Sequence, residues 1–483
     1  MIGARLVRIG AACVLVFVSC GVLQMMTAES ARAGRYNTDC REVLKVGSTN
    51  TYGFIMALLD SDTLVDIAAV GEGPNQLLVY HNNGNNFSTL DSITLDMAPW
   101  TVEDVDLDGD SDRDLVVGYR DSAKVQAFFN DGSGSFSAGA SLAIGNGSTY
   151  QTVYYLEAED YDSDGTPEIM AAISSSTSVI SPQFNGVFHI VYDTSSSSFA
   201  VDTVRLWHDL VSGDLPYPWH IHSGDLNGDG HRDLAISGDS LIEIYLNDPT
   251  ANAVDPPFVS TDSTLYGAFG LNAHALYECD LIDANHDGLL DVIATDYAFM
   301  HWFLLLNDST YGSVPFSSND SIAFSGYPSM AELAVADYFS DANGYQDVAV
   351  SRSTDTAAIH FWRSTTSSPW FEAVDSADIY FDPSENVYWV KPRDIVWGGD
   401  IDLVFSGTEG VSVMTNGGIC GDLNYDGTVD AVDLGILIDF AFNNGSACPL
   451  WTDVDGNGTN ADIVDVNYLI NYLFHNGPDP VCS

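Results

Sequence analysis

Asp225-Leu226-Asn227-Gly228-Asp229-Gly230-His231-Arg232-Asp233-Leu234 is the stretch whose reading decides the fold. Oxygen-bearing side chains stand at positions 1, 3, 5 and 9 of this loop, Asp225, Asn227, Asp229 and Asp233. So many acceptors at close quarters repel one another unless a hard cation sits among them, and the glycine at position 6 permits the turn that aims them inward. Calcium is the expected ion. Position 7 would donate its backbone carbonyl, so His231 needs no particular chemistry there.

Three more loops repeat the arrangement: Asp106, Asp108, Asp110, Asp112 and Asp114; Asp160, Asp162, Asp164, Thr166 and Glu168; Asp283, Asn285, Asp287, Leu289 and Asp291. The acidic residue that closes each loop opens an apolar strand, and that anchor recurs at Asp66, Asp114, Glu168, Asp233, Asp291, Asp347 and Asp402, at spacings of 48, 54, 65, 58, 56 and 55. Short alternating strands and turns at such a period mean a propeller blade or a solenoid rung. The ends decide between them. The seventh repeat stops after Val411-Ser412-Val413-Met414 without a last strand, while residues 41–47 precede the first anchor with nothing else to pair with. If that segment completes the last blade, no sheet edge is left open, as a solenoid would leave two. The expected fold is mainly β, a seven-bladed β-propeller over residues 34–416. Loops 1, 6 and 7 are degraded: Leu58 and Phe339 replace the first ligand beside Asp60, Asp62, Asp341 and Asn343, and the last loop keeps only Asp394 and Asp402.

The 483 residues carry 68 acidic against 15 basic side chains, a net charge of −53, which excludes a nucleic-acid binder working through basic patches. Hydrophobic residues at 46% supply a packed core rather than a disordered polyanion. Residues 1–33 read as an export signal: Arg5 and Arg8, an apolar run from Ile9 to Val22, then Ala31-Arg32-Ala33 as the cleavage site. Cys20 leaves a lipoprotein alternative open. The run is short for a membrane span and no other follows, so the expectation is a secreted, extracellular or surface-associated protein with no integral span.

The loops and anchors, Asp225 to Leu234 above all, resemble the FG-GAP or VCBS repeats of bacterial surface proteins and integrin α-subunit propellers, although the Phe-Gly pair that names the family is missing before the loops. The resemblance spans residues 41–416 and implies calcium loops and a protein or glycan ligand; a minority of related propellers are polysaccharide lyases. Fourteen residues before the anchors stand Tyr52, Trp100, Tyr154, Trp219, Tyr277, Leu333 and Tyr388, aromatic in six blades of seven. Rotation would gather them near the mouth of the central channel, to stack on a ligand or to pack blade on blade. His220, Ile221 and His222 have strand period two, so both imidazoles face one side, near His274, with no third metal ligand identifiable. No nucleophile elbow, phosphate loop or zinc-protease helix occurs.

After Asn416 the period changes. Asp422, Asn424, Asp426, Thr428 and Asp433 form a twelve-residue calcium loop running into an amphipathic helix, and Asp453, Asp455, Asn457, Thr459 and Asp465 form a second, one residue longer. Residues 417–483 closely resemble a type I dockerin, a small all-α module of paired EF-hand-like loop-helix units. The resemblance implies a cohesin-type partner contacting Ala431, Val432, Ile463 and Val464, or else a calcium-stabilised tail without one. Of Cys40, Cys279, Cys420, Cys448 and Cys482, the expected bridge is Cys420 with Cys448 or Cys482, leaving Cys279 buried. The functional expectation is a secreted calcium-binding propeller for a protein or glycan; the alternative is a dockerin-borne polysaccharide lyase or glycoside hydrolase.

Overall fold

The computed structural model describes residues 41–44, 50–83, 87, 89–144, 151–175, 185–206, 217–238, 241–247, 258, 264–267, 276–296, 301–307, 316–320, 330–339, 344–352, 358–367, 370–374, 378–381, 385–395, 401–415, and parts of 421–443 and 452–480. The expected signal segment, His274, Asp341, Asn343, Cys40, Cys420, Cys448 and Cys482 lie outside the described residues.

Seven antiparallel sheets of four strands, one with a short fifth, follow in chain order. Their inner strands are Asn50–Ala57, Pro99–Val105, Gln151–Glu159, Pro218–Gly224, Leu276–Ile282, Met330–Ala336 and Val387–Arg393. Each packs on the inner strand of the next blade and the seventh returns to the first, so the ring is closed. Second strands such as Asp114–Tyr119 and Asp233–Gly238 are buried at every position. Covered on both faces by neighbouring blades, they read as unbroken apolar runs, whereas the outer strand Phe136–Ala143 is largely half-buried or exposed.

The closing strand is where the chain ends require it. Arg41–Leu44 pairs antiparallel with Gly410–Met414 as the outermost strand of blade 7, Arg41 opposite Met414 and Leu44 opposite Val411. Leu44 is buried. Nε of Arg41 donates to Ser412 Oγ at 2.8 Å, its guanidinium pairs with Glu385, and it lies over the Phe381 and Phe405 rings at 5.4 and 5.1 Å.

The seven anchors hold the hairpin behind them. Each accepts the backbone N–H of a residue before it in the loop: Leu59 to Asp66 at 3.2 Å, Leu107 to Asp114 at 3.0 Å, Tyr161 to Glu168 at 2.7 Å, Leu226 to Asp233 at 2.9 Å, Ala284 to Asp291 at 2.9 Å, Phe339 to Asp347 at 3.2 Å and Ile395 to Asp402 at 3.0 Å. In four blades the other anchor oxygen accepts the N–H of an asparagine at or just past the end of the third strand, Asn82, Asn130, Asn247 or Asn307. The asparagine amide then reaches back to the previous blade: Asn82 to the carbonyl of Ile395, Asn130 to Leu59, Asn247 to Tyr161 and Asn307 to Leu226, at 3.2, 2.7, 2.7 and 2.7 Å. One side chain thus fastens hairpin and neighbouring blade together.

Asn130→Ala should therefore cost about 2–4 kcal/mol, because it orphans the carbonyls of Leu59 and Arg113 and frees two loop N–H groups, of Gly132 and Gly134. Denaturant unfolding checks it. A loss below about 0.5 kcal/mol would mean that water replaces the staple.

Two helices follow the last blade, α1 at Ala431–Asn443 and α2 at Ile463–His475, sharing a small core with Leu423, Leu437, Val454, Val466 and Leu469. Among the described residues no helix is long and apolar enough to cross a membrane.

Candidate functional site

The loops of blades 2 to 5 leave the carboxyl ends of the inner strands and share one backbone conformation. Positions 4 and 6 are left-handed in all four: Gly109 and Ser111 at φ 80° and 77°, Ser163 and Gly165 at 60° and 91°, Gly228 and Gly230 at 77° and 89°, His286 and Gly288 at 63° and 87°. Glycine takes these values without cost, so Gly228 and Gly230 make blade 4 the least strained of the set. The position 1 carboxylates accept loop N–H groups: Asp106 from Gly109 at 2.8 Å, Asp160 from Gly165 at 3.0 Å, Asp225 from Gly230 at 2.9 Å and Asp283 from Gly288 at 3.0 Å.

In blade 3, Asp160, Asp162, Asp164 and Glu168 bring ligand atoms within 4.8 Å of one another, and in blade 2 Asp106, Asp108 and Asp114 do so. Burial first, with neighbouring carboxylates adding to it, pushes the Glu168 carboxyl up to about 8, Asp233 and Asp291 to about 7, and Asp114 to about 6. The donor set suits a hard cation. In the degraded loop of blade 1, Asp60 instead faces His81, Nδ1 to carboxylate 3.5 Å, and Leu58 at position 1 is exposed.

At the other end of the inner strands the aromatic residues meet. Tyr388 and Tyr52 stack with centroids 5.4 Å apart, Tyr52 and Trp100 at 4.5 Å; Trp100 meets Tyr154 at 5.6 Å, Tyr154 meets Trp219 at 4.6 Å and Trp219 meets Tyr277 at 5.5 Å. The six rings form one half-buried arc. Each sits where the pairing of the inner strand shifts register, the extra residue of a β-bulge, as Trp219 does between Pro218 and His220. A bulge re-aims its side chain, and here it does so for six aromatics around an axis. The loops and the arc lie at opposite ends of strands whose intervening five residues span about 17 Å.

Leu333 is a correction. The paired residues Ala336 and Asp347 bracket a loop two residues longer than Ile282 and Asp291 do, so counting back from the anchor slips, and the bulge residue of blade 6 is Ala331. Leu333 is buried in the core. The arc therefore has its gap at blade 6. Away from the gap, on blades 1 and 2, Tyr52 Oη donates to Glu72 at 3.2 Å, and Arg120 both pairs with Glu72 at 2.8 Å and lies 5.8 Å over the Trp100 ring.

Between arc and loops the channel holds polar residues that reading along the chain did not assemble. His220 and His222 do face one side, their rings nearly parallel at 6.3 Å. Nε2 of His222 lies 3.3 Å from Asp280, and Nε2 of His220 lies 3.8 Å from Glu278, which also accepts the N–H of Leu333. Glu332 completes a buried group with His220 and Glu278. A cavity of about 430 Å³ is lined by these residues with Glu103, Asp104, Tyr155, Trp389 and Lys391, and by none of the six arc aromatics. Burial raises Glu278 well above the usual carboxylate range, reinforced by Glu332, and pushes Glu332 up to about 8; it holds His220 well below the usual imidazole value.

At the C-terminus, Asp422, Asn424, Asp426, Thr428, Asp453, Asp455, Asn457 and Thr459 lie outside the described residues. Asp433 and Asp465 are buried in the first turns of α1 and α2, where Asp433 accepts the N–H of Leu423 at 2.6 Å and Asp465 that of Asp462 at 2.8 Å. Ala431 with Val432 and Ile463 with Val464 open the two helices at equivalent places; Val432, Ile463 and Val464 are 55%, 64% and 48% exposed. Cys279 is free and buried.

Residues 59–117 and 106–171 match the FG-GAP-like repeat. The seven sheets around one axis make the fold a seven-bladed β-propeller, and the match to FG-GAP-like repeats falls within residues 59–171, over its second blade and parts of the first and third. Among solved structures, the chain is similar to BBS1N in a crystal structure with ARL6DN soaked with lead, at 8% identity over 78% of this chain and 95% of that one, TM-score 0.47. It is also similar to Sqt1 of Saccharomyces cerevisiae, at 10% identity over 72% and 80%, TM-score 0.47. No curated protein matches the chain.

Proposed function

We propose that the chain is a secreted, calcium-loaded propeller that receives a glycan or protein ligand at the aromatic end of its channel and is held to a cohesin-type partner by a dockerin-like module over residues 417–483. The observation that carries the ligand reading is the contiguous arc from Tyr388 through Tyr52, Trp100, Tyr154 and Trp219 to Tyr277. Packing between blades needs no bulge, whereas six bulges that turn aromatics toward one axis make a stacking surface. A glycan array supplies the ligand. Trp100→Ala and Trp219→Ala should each then weaken binding by at least about 1 kcal/mol, with the melting temperature within a few degrees of wild type. Unchanged affinity in both folded variants would reduce the arc to packing.

The docking reading is supported by the two exposed apolar pairs at equivalent helix starts. Val432→Asp with Val464→Asp would bury unpaired charge at such a contact and should abolish calcium-dependent binding to a cohesin-type domain. Recovery equal to wild type would remove these residues from the contact. The enzyme reading, a polysaccharide lyase or glycoside hydrolase, has one observation on its side, the titratable group in the channel.

A further inference from the structure

We infer that His220, Glu278 and Glu332, on three successive inner strands, form a binding site for a divalent transition metal of the zinc class inside the axial channel, distinct from the calcium loops. Each offers a ligand atom within 4.8 Å of the others and all are buried. His220 is 6% exposed, and its Nε2 is the ring nitrogen that faces Glu278. The 3.8 Å between His220 Nε2 and Glu278 Oε1 is close to the roughly 3.4 Å between two ligands held about 2.1 Å from a tetrahedral ion. The N–H of Leu333 fixes the other oxygen of Glu278, as outer partners orient metal ligands.

Charge points the same way. Lys391 and Arg393 are the lysine and arginine lining the cavity, against the carboxylates of Glu103, Asp104, Glu278, Asp280 and Glu332. Two acidic groups as close as Glu278 and Glu332 need a cation between them to ionise together. An imidazole ligand and a set of only three protein donors exclude calcium, which takes about 6–8 oxygens, and suit zinc with a fourth position open to the cavity. This inference stands apart from the ligand and docking readings, since it concerns other residues and another ion.

The test is cobalt(II), a visible probe for zinc sites, titrated into the metal-depleted full chain in excess calcium, so that the loops are filled. Wild type should bind one equivalent with visible ligand-field absorption that zinc displaces. Glu332→Gln and Glu278→Gln, isosteric and checked for fold by circular dichroism, should each weaken it at least about tenfold, the lower bound for outer-shell partners alone. His220→Ala should do the same. Asp229→Ala, in a calcium loop, should leave it unchanged. The inference is overturned if wild type binds no cobalt in calcium, if both folded glutamine variants bind as wild type does, or if the signal is lost in Asp229→Ala instead.

Discussion

Chelating calcium from the full chain is expected to lower its melting temperature by roughly 10–20 °C. Four propeller loops carry the full set of oxygen donors, and the positive-φ positions 4 and 6 hold each in one shape. An ion that binds only the folded state adds about 2.7 kcal/mol per site at a hundredfold excess over its dissociation constant, so four sites approach about 11 kcal/mol, and in a domain this large each kcal/mol moves the midpoint by a degree or two. The anchors add a pH dependence. Burial has raised Glu168, Asp233, Asp291 and Asp114 above their unfolded values, to about 8, 7, 7 and 6. In chelator the folded state therefore binds more protons than the unfolded one between about pH 4 and 8, and stability falls as pH rises through that window. The chelated chain should melt higher at pH 5 than at pH 7. A scan in chelator that superimposes on the calcium scan would end the calcium reading.

Deleting residues 41–47 is expected to cost roughly 4–8 kcal/mol and to make the chain self-associate. Arg41–Leu44 supplies a four-residue ladder to Gly410–Met414, each bond worth about 0.5–1.5 kcal/mol, and buries Leu44, worth about 1.5–3 kcal/mol. It also removes the Arg41 contacts with Ser412 and Glu385. The strand at Gly410–Met414 would then present a bare edge, which invites pairing between chains. Size-exclusion chromatography and denaturant unfolding read both effects. A monomer that unfolds at the wild-type denaturant concentration would show that closure contributes nothing.

How much of this was legible in the sequence depends on whether a feature runs along the chain or across the blades. Asp225 to Leu234 shows a turn, a donor set and a strand start within ten residues, and its recurrence gave the blade count; the orphan segment at Arg41 gave the closure. The aromatic arc followed because six of the loops are equally long, and counting failed only at blade 6, where the loop is longer. His220, Glu278 and Glu332 stand 58 and 54 residues apart and carry no motif. Their signal lies across the repeats, since all three sit four residues before the last paired residue of their inner strands, Gly224, Ile282 and Ala336. The asparagine staples are hidden likewise: Asn82, Asn130, Asn247 and Asn307 look like turn residues until the carbonyl of the preceding blade is seen beside them.

The central claim is that the four full loops, and not the degraded ones, hold calcium in a closed propeller. Bound calcium per chain, measured by elemental analysis after equilibrium dialysis, tests it most directly when wild type is compared with Asp229→Ala and Asp60→Ala. Asp229 is the position 5 donor of a full loop, while Asp60 faces His81 in a loop that begins with Leu58. The account predicts a stoichiometry lower by about one in Asp229→Ala and unchanged in Asp60→Ala. Equal stoichiometry in wild type and Asp229→Ala, or the same loss in both variants, would contradict it.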